Sequence, residues 1–532
     1  MNRPTISLLA VGGALLALTG VASLGPGDGS ADSTTPAAAS PRPVERTTLT
    51  CPRPTEAESA TTWYTGYTPA GESASDQEAG SANLFPAPEY VPGTEDPADD
   101  GEDSDEGGGD QGGGGEGGDG AGEEAEPVAA LEEPGLPVTV STERSDAPAL
   151  FGTAEEALAP GWTVQQTTSV ATGAGRGLLG TTCQEPDTAF WFAGASTAET
   201  RHDYVHVINP DAAATVVDIE LYGPEGRLET DAGQAITVPG GSALPVRLST
   251  LTDEELDDLA VQVTARTGRV GAQVEVVDEE LGADWLPPAA VADGPLVLPG
   301  IPADATDVRL VAYAPGDEDV TFDVGLAGPS GVITPAGNET VAVRSGELTV
   351  LELGNLSQGE AGSLVLTPAS GSGGGPVAAA VAITAAAHDE DGEATGAEEL
   401  AFVPASASIE QRGSIAGNTA DGTGLALTAT RGPVEVEVTV SAGSDGGEPF
   451  TENHTVDAGT TLAIAPEIPD GTKGRYAITV ERVGGDGRLY AARTLSEGGG
   501  EQDLMLTVQP FADDRSTVAV PATEEDLAVL TD

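Results

Sequence analysis

From residue 200 onward the chain repeats one pattern of alternating apolar and polar residues at a fixed offset. Nothing else in the sequence restricts the fold as much. Val217, Ile219 and Leu221 alternate with Asp218, Glu220 and Tyr222, and a Gly223-Pro-Glu-Gly226 turn follows. At an offset of 105 residues, Phe322, Val324 and Leu326 alternate with Asp323, Gly325 and Ala327 before Gly328-Pro-Ser-Gly331. The same offset carries Asn209-Pro210 onto Ala314-Pro315, and Ile236 and Val238 onto Val341 and Val343. It also carries Val246, Leu248 and Leu251 onto Leu351, Leu353 and Leu356, and Val261 onto Leu366. One offset kept over about 50 residues marks a structural repeat. A looser third copy sets Val434, Val436, Val438 and Val440 against Glu435, Glu437 and Thr439. In that copy Tyr476–Val480 and Leu489–Arg493 flank Gly484-Gly485-Asp486-Gly487, a hairpin signal.

A period of two is that of a strand with one face buried and the other wet. About 100 residues per unit, punctuated by Gly, Pro and Asp turns, predict an all-β chain of tandem immunoglobulin-like β-sandwich domains. The organisation reads as follows. Residues 1–31 are a signal peptide or membrane anchor, and 32–43 a flexible spacer. Residues 44–199 are an N-terminal β domain, interrupted at 94–126 by a disordered acidic Gly-rich insertion. Sandwich repeats occupy 200–298, 299–404 and 405–512, each with a core of its own, and 513–532 is a C-terminal tail. The one helix expected is short, at Thr252-Asp-Glu-Glu-Leu-Asp-Asp-Leu259, where Thr or Asp could cap it.

Compartment follows from three features. Arg3 precedes an uncharged stretch, Thr5 to Leu24, that suits an export signal or an uncleaved anchor. Both readings place the bulk outside the cytoplasm, secreted or held at the membrane by that segment alone. Two cysteines, Cys51 and Cys183, in an exported chain predict one disulfide. It would close a loop of about 130 residues and contribute ~4–5 kcal/mol through the unfolded state. The net charge is -66, from 87 acidic and 21 basic side chains. That field repels nucleic acid and anionic lipid alike.

Motifs for chemistry are sparse. His202-Asp-Tyr-Val-His206 has the i, i+4 spacing of a helical zinc pair. Its surroundings read as strand, which would set the imidazoles ~13 Å apart, too far for one ion. Asp389-Glu-Asp-Gly392 resembles the start of a calcium loop, but Ala394 stands where that loop needs Gly. The Gly/Asp run 107–120 lacks the apolar residue of calcium-binding repeats and reads as linker. Lys473 lies in Gly-Thr-Lys-Gly, which is no phosphate loop, and no Gly-x-Ser-x-Gly elbow occurs. No catalytic, cofactor-binding or metal-ligating residue is assigned. The aromatic run Phe190, Trp191 and Phe192 is the candidate ligand-facing group. Core packing near Cys183 is the competing reading.

The stretches VERTTLTCP, APGWTVQQTT, DTAFWFAGAST, RHDYVHVINPD, VVDIELYG, GRVGA, DWLP, VLPGIPADATDVRLVAYAPG, GEAGSLVLTP and KGRYAITVER carry a resemblance. They resemble an exported actinobacterial family of uncharacterised proteins, domain-of-unknown-function family five-seven-one-nine. The resemblance covers most of 44–532 and brings no activity and no catalytic residues. It implies genes beside a membrane glycosyltransferase, hence work on envelope polysaccharide. The expected function is an exported, non-catalytic cell-envelope scaffold of stacked sandwiches. A carbohydrate-binding or polysaccharide-assembly accessory protein is the alternative, and an unrecognised glycan hydrolase a second. Candidate partners are an envelope glycan or an envelope protein. Glu95–Glu126 holds fourteen acidic residues and no aromatic ones, and cannot build a core. Its deletion should leave the melting temperature within a few degrees in a calorimetric scan, and a collapse of the transition would show a structural role.

Overall fold

A computed structural model of the chain describes residues 40–57, 59–71, 79–92, 126–388, 394–499 and 502–520. The Thr5–Leu24 segment, the insertion 94–126 apart from Glu126, and Asp389–Gly392 lie outside the described residues. Alternation translates directly into burial. Val217, Ile219 and Leu221 are fully buried in the strand Thr215–Gly223, while Asp218 and Glu220 are half-buried. Val434, Val436, Val438 and Val440 line the core along Val434–Gly443, and Glu435 points to solvent.

Every sandwich pairs two antiparallel sheets. In the first repeat one sheet runs Ala189–Ala195, Leu259–Ala265, Thr215–Gly223, with Gly226–Arg227 and Ile236–Val238 on its outer edge. The other runs Ser242–Arg247, Tyr204–Asn209, Gly271–Asp278, Gly282–Leu286. The second repeat has the same order. Leu296–Ile301, Gly362–Pro368 and Val320–Gly328 end on Gly331–Ile333 and Thr340–Val343. They face Leu348–Gly354, Ala305–Tyr313, Ala378–His388 and Ala394–Pro404. In the third repeat Arg412–Asn418, Tyr476–Gly485, Val434–Gly443 and Phe450–Val456 face Thr460–Ile464, Thr423–Thr430, Arg488–Gly499 and Gln502–Pro510. Numbered within each sandwich, with a split outer edge counted once, the sheets read first-sixth-third-fourth and fifth-second-seventh-eighth.

The N-terminal domain has this topology too. Arg46–Cys51, Ala149–Glu155, Ala82–Ala87 and Ala129–Leu131 form one sheet. Val138–Thr142, Ala60–Tyr67, Thr163–Val170 and Gly177–Thr182 form the other. It is a fourth copy, and the acidic insertion separates its third strand from its fourth. The strand Ala189–Ala195, read from the sequence with this domain, pairs in register with Leu259–Ala265 and opens the first repeat instead.

The predicted helix is absent. Residues 252–258 are irregular with bends, and only a 3-10 turn, Leu248–Thr250, precedes them. Tertiary hydrogen bonds override the local preference. Thr197 donates its hydroxyl to the Glu254 carbonyl at 2.8 Å and its N–H to the Leu256 carbonyl, and accepts the Leu256 N–H.

Two units divide the described residues. Pro43–Thr517 holds all four sandwiches; the other takes in the described residues up to Arg42 and from Val518, where a two-stranded sheet forms. Among the described residues no helix is long and apolar enough to cross a membrane.

Within Pro43–Thr517 the sandwiches meet head to tail. The first strand of each lies across the second sheet of the next: Ala189–Ala195 on Ala378–His388, Leu296–Ile301 on Arg488–Gly499 and Thr423–Thr430. The third repeat then returns to the N-terminal sandwich, with Arg412–Asn418 on Ala60–Tyr67 and Thr163–Val170, and Arg46–Cys51 lies on Gly271–Asp278. Head-to-tail contacts that return to their origin make a closed ring. The expected row of stacked sandwiches is therefore replaced by a ring; the third repeat and the N-terminal sandwich keep main cores of their own, while those of the first and second repeats extend into a neighbour. One apolar cluster runs from Phe192, Val205 and Ile219 into Val311, Tyr313 and Phe402 of the second repeat. Another joins Leu310 and Phe322 to Leu506 and Val508 of the third.

Each repeat's first strand bulges where it meets its neighbour, at Gly194, Gly300 and Gly417, all with positive φ. At Gly300 φ is +84, and a Cβ would stand 2.5 Å from the Ala492 Cβ across the seam. Both the backbone conformation and the close approach require glycine. Gly300→Ala should therefore cost about 1–3 kcal/mol, read as a lowered urea midpoint. Because the cores are shared, second and third repeats should lose structure in the same transition.

Candidate functional site

The eighth strand of each sandwich lies at a sheet edge, and the four edges converge. Gly177–Thr182 contacts Gly282–Leu286, which contacts Ala394–Pro404, then Gln502–Pro510, which returns to Gly177–Thr182. Asp284, fully buried, accepts the Gly180 N–H at 3.1 Å and the Thr507 hydroxyl at 3.1 Å. One carboxyl thus joins the first repeat, the N-terminal sandwich and the third repeat. Glu399, equally buried, accepts the Leu178 N–H at 3.2 Å and pairs with Arg176 at 2.8 Å. Arg176 also donates to the carbonyls of Glu398 at 2.8 Å and Leu504 at 3.4 Å. Its single positive charge reaches two other sandwiches.

Burial dominates the electrostatics here. It pushes the Asp284 carboxyl well above the usual carboxylate range, against the hydrogen bonds that favour the anion. It pushes Glu399 up to about 8, against the opposing pull of Arg176. Arg493 is fully buried within the third repeat. It donates to the Ala416 carbonyl at 2.7 Å, to Asn418 at 3.2 Å and to Gln509. Burial lowers it to about 9, with help from Arg475. Arg475 itself stacks over Trp63, 4.3 Å from the ring centroid.

The aromatic run is divided by strand alternation. Phe190 and Phe192 are buried in the first repeat's core, and Trp191 is half-buried on the opposite face. Trp191 lies 5.4 Å from the Tyr222 ring and 5.2 Å from Tyr313, and those two tyrosines are 4.6 Å apart. Tyr313 belongs to the second repeat, so this trio closes a seam. Core packing describes Phe190 and Phe192, in the first repeat's core and not near Cys183, around which Tyr64, Trp162 and Leu158 pack. Cys51 and Cys183 are disulfide-bonded and buried. The bond links the end of the first strand to the residue after the eighth, and so crosses between the two sheets.

His202 and His206 do not share an ion. His206 pairs with Glu275 at 3.0 Å, buried against Trp285, and His202 pairs with Glu279 at 3.2 Å. His388 and His454 also stand beside carboxylates, Asp304 and Glu452. Among the described residues no group of three or more His, Cys, Asp or Glu is placed to hold a metal ion. A cleft of about 170 Å³ opens between the first and second repeats, lined by Arg201, Arg309, Asp278 and Asp307 among others. Its arginines are already engaged, Arg201 with Asp203 at 2.8 Å and Arg309 with Asp258 at 3.2 Å.

Sequence reasoning passed over Asp284, Glu399 and Arg176. Only one signal pointed to Asp284: a lone acid inside the small and apolar run Gly282-Ala-Asp-Trp-Leu286, where alternation offers it no wet face.

Trp191→Ala separates a seam role from a ligand role. A seam residue of this size should cost about 3 kcal/mol on truncation, seen as a lower melting temperature. A ligand platform would change glycan binding with the melting temperature unmoved.

A family model with the description "Family of unknown function (DUF5719)" matches residues 138–467, more than half of the chain. Its ends fall inside the N-terminal sandwich and the third repeat. No curated protein and no solved structure matches.

Proposed function

We propose, for a chain that belongs to the DUF5719 family of unknown function, the role of an exported, non-catalytic scaffold of the cell envelope. The closed ring of four sandwiches carries this reading. Buried ionisable groups of the kinds recruited for catalysis are engaged in structural contacts. Asp284, Glu399 and Arg176 bind strand edges to one another, and His206 is held by Glu275. What faces outward is acidic, which keeps such particles soluble and apart. Export is supported by the Thr5–Leu24 segment and by the buried Cys51–Cys183 bond, which persists in an oxidising compartment. A rigid ring displaying loops of several sandwiches suits the docking of an envelope protein or an envelope glycan.

Protein purified from the native envelope fraction tests the reading. Non-reducing mass spectrometry should find the chain lighter by two hydrogens than its sequence mass, with no cysteine-linked dimer. Cross-linking in intact cells should capture envelope components. Saturable binding of the purified ring to cell-wall glycan would move the reading to a carbohydrate-binding accessory protein. Glycan cleavage, or full-length protein free in the cytoplasm, would overturn it.

A further inference from the structure

We propose that the ring centre is a proton-held latch: Asp284 and Glu399 fasten the N-terminal sandwich to the repeats while they hold a proton between them, and loosen it when both are ionised. Every group that the N-terminal sandwich contributes to this latch lies on or beside its eighth strand. Leu178 and Gly180 donate their N–H groups to Glu399 and Asp284, and Arg176 pairs with Glu399. Backbone bonding continues this, with the Ala283 N–H donating to the Arg176 carbonyl at 2.9 Å. Glycine permits the approach: a Cβ on Gly177 would stand 2.5 Å from the Ala283 carbonyl oxygen and 2.8 Å from Glu399.

The charges that face one another do not balance. Arg176 is the cation paired with Glu399, while Asp284 and the exposed Asp503 add negative charge near it. Asp284 receives backbone N–H groups and the Thr507 hydroxyl, with no cation of its own. With both carboxyls ionised, one buried negative charge stands uncompensated, a strongly destabilising arrangement. One proton held by the pair removes it, and a neutral carboxyl still accepts its Gly180 or Leu178 N–H bond.

The sign of the pH dependence follows. Both folded carboxyls titrate above their unfolded values, Glu399 near 8 against 4.5. The folded chain therefore keeps protons that the unfolded chain gives up. The latch is at full strength below the unfolded value and is lost as pH rises through the folded one. Release need not unfold the N-terminal sandwich, whose two sheets stay tied through Cys51–Cys183. The polar pair Thr181–Gln273 and the Arg475–Trp63 stack keep it attached, so release appears as local opening of the eighth strands.

Hydrogen–deuterium exchange of the oxidised full-length protein, corrected for intrinsic rates, tests this. Peptides covering Gly177–Thr182 and Gly282–Leu286 should lose protection about tenfold or more between roughly pH 6 and pH 9, whereas Val434–Val440 should not. In Glu399→Gln the loss should shrink, and in Glu399→Gln with Asp284→Asn it should vanish. Wild-type protection that is independent of pH, or the same loss in the double variant, would overturn the latch. Should the variants fail to fold, a finer pH series of wild-type exchange decides. Loss of protection in the eighth-strand peptides with a midpoint near pH 8 supports the latch, and protection that does not change there refutes it.

Discussion

The edge of a β-sheet is a row of unsatisfied N–H and C=O groups, and it must be covered or it will pair with something else. Each sandwich of this protein has such an edge in its eighth strand, and the molecule covers all four at once by turning them inward. That arrangement forces the rest. The strands approach closely enough to need Gly177 and Gly282, and backbone groups left over from the pairing need acceptors. Asp284 and Glu399 supply them. Water is excluded in the process, so both carboxyls titrate far from their ordinary range.

Shared burial also explains why the seams are so mixed in chemistry. Between the first and second repeats aromatic rings meet, in Trp191, Tyr222 and Tyr313. Between the second and third, buried hydroxyls do so: Ser363 bonds to Thr428 at 2.7 Å and to Thr461 at 3.2 Å. Between the third and the N-terminal sandwich the Arg475–Trp63 stack joins a small apolar cluster of Tyr67, Ala416 and Ala477. The same backbone surfaces dock at each seam, and the side chains differ. A head-to-tail fit is set by strand geometry, and several chemistries can fill the space that it leaves.

What could be read from the chain is what is local. Alternation along Val217–Leu221 and Val434–Val440 reports which face is wet, so the sandwich class and the repeat were visible. The fourth copy was hidden because its strands are rich in threonine and glutamine. In Thr163–Val170 the polar side chains of Gln165, Gln166, Thr167 and Thr168 are buried against another sandwich or the core, which erases the period. The expected helix failed for a related reason. Thr197, more than fifty residues away, supplies hydrogen bonds that no local propensity anticipates. The centre was illegible in principle, since Asp284 and Glu399 look like two among many acids until four edges bring them together. Phe190–Phe192 stood out in the sequence, and its alternate residues proved to serve two different partners.

Ring closure has a bearing on how such a chain can change over generations. An open array of repeats can gain or lose a unit at little cost, because each copy touches only its neighbours. Here the last copy must meet the first, and the angle between adjacent copies leaves space for a whole number of them. Removal of one repeat would expose two docking faces and leave the inner edges uncovered; adding one would break the circle. Growth is therefore confined to the loops on the periphery. Between the third and fourth strands of the N-terminal sandwich the connection is far longer than its counterparts in the other three copies.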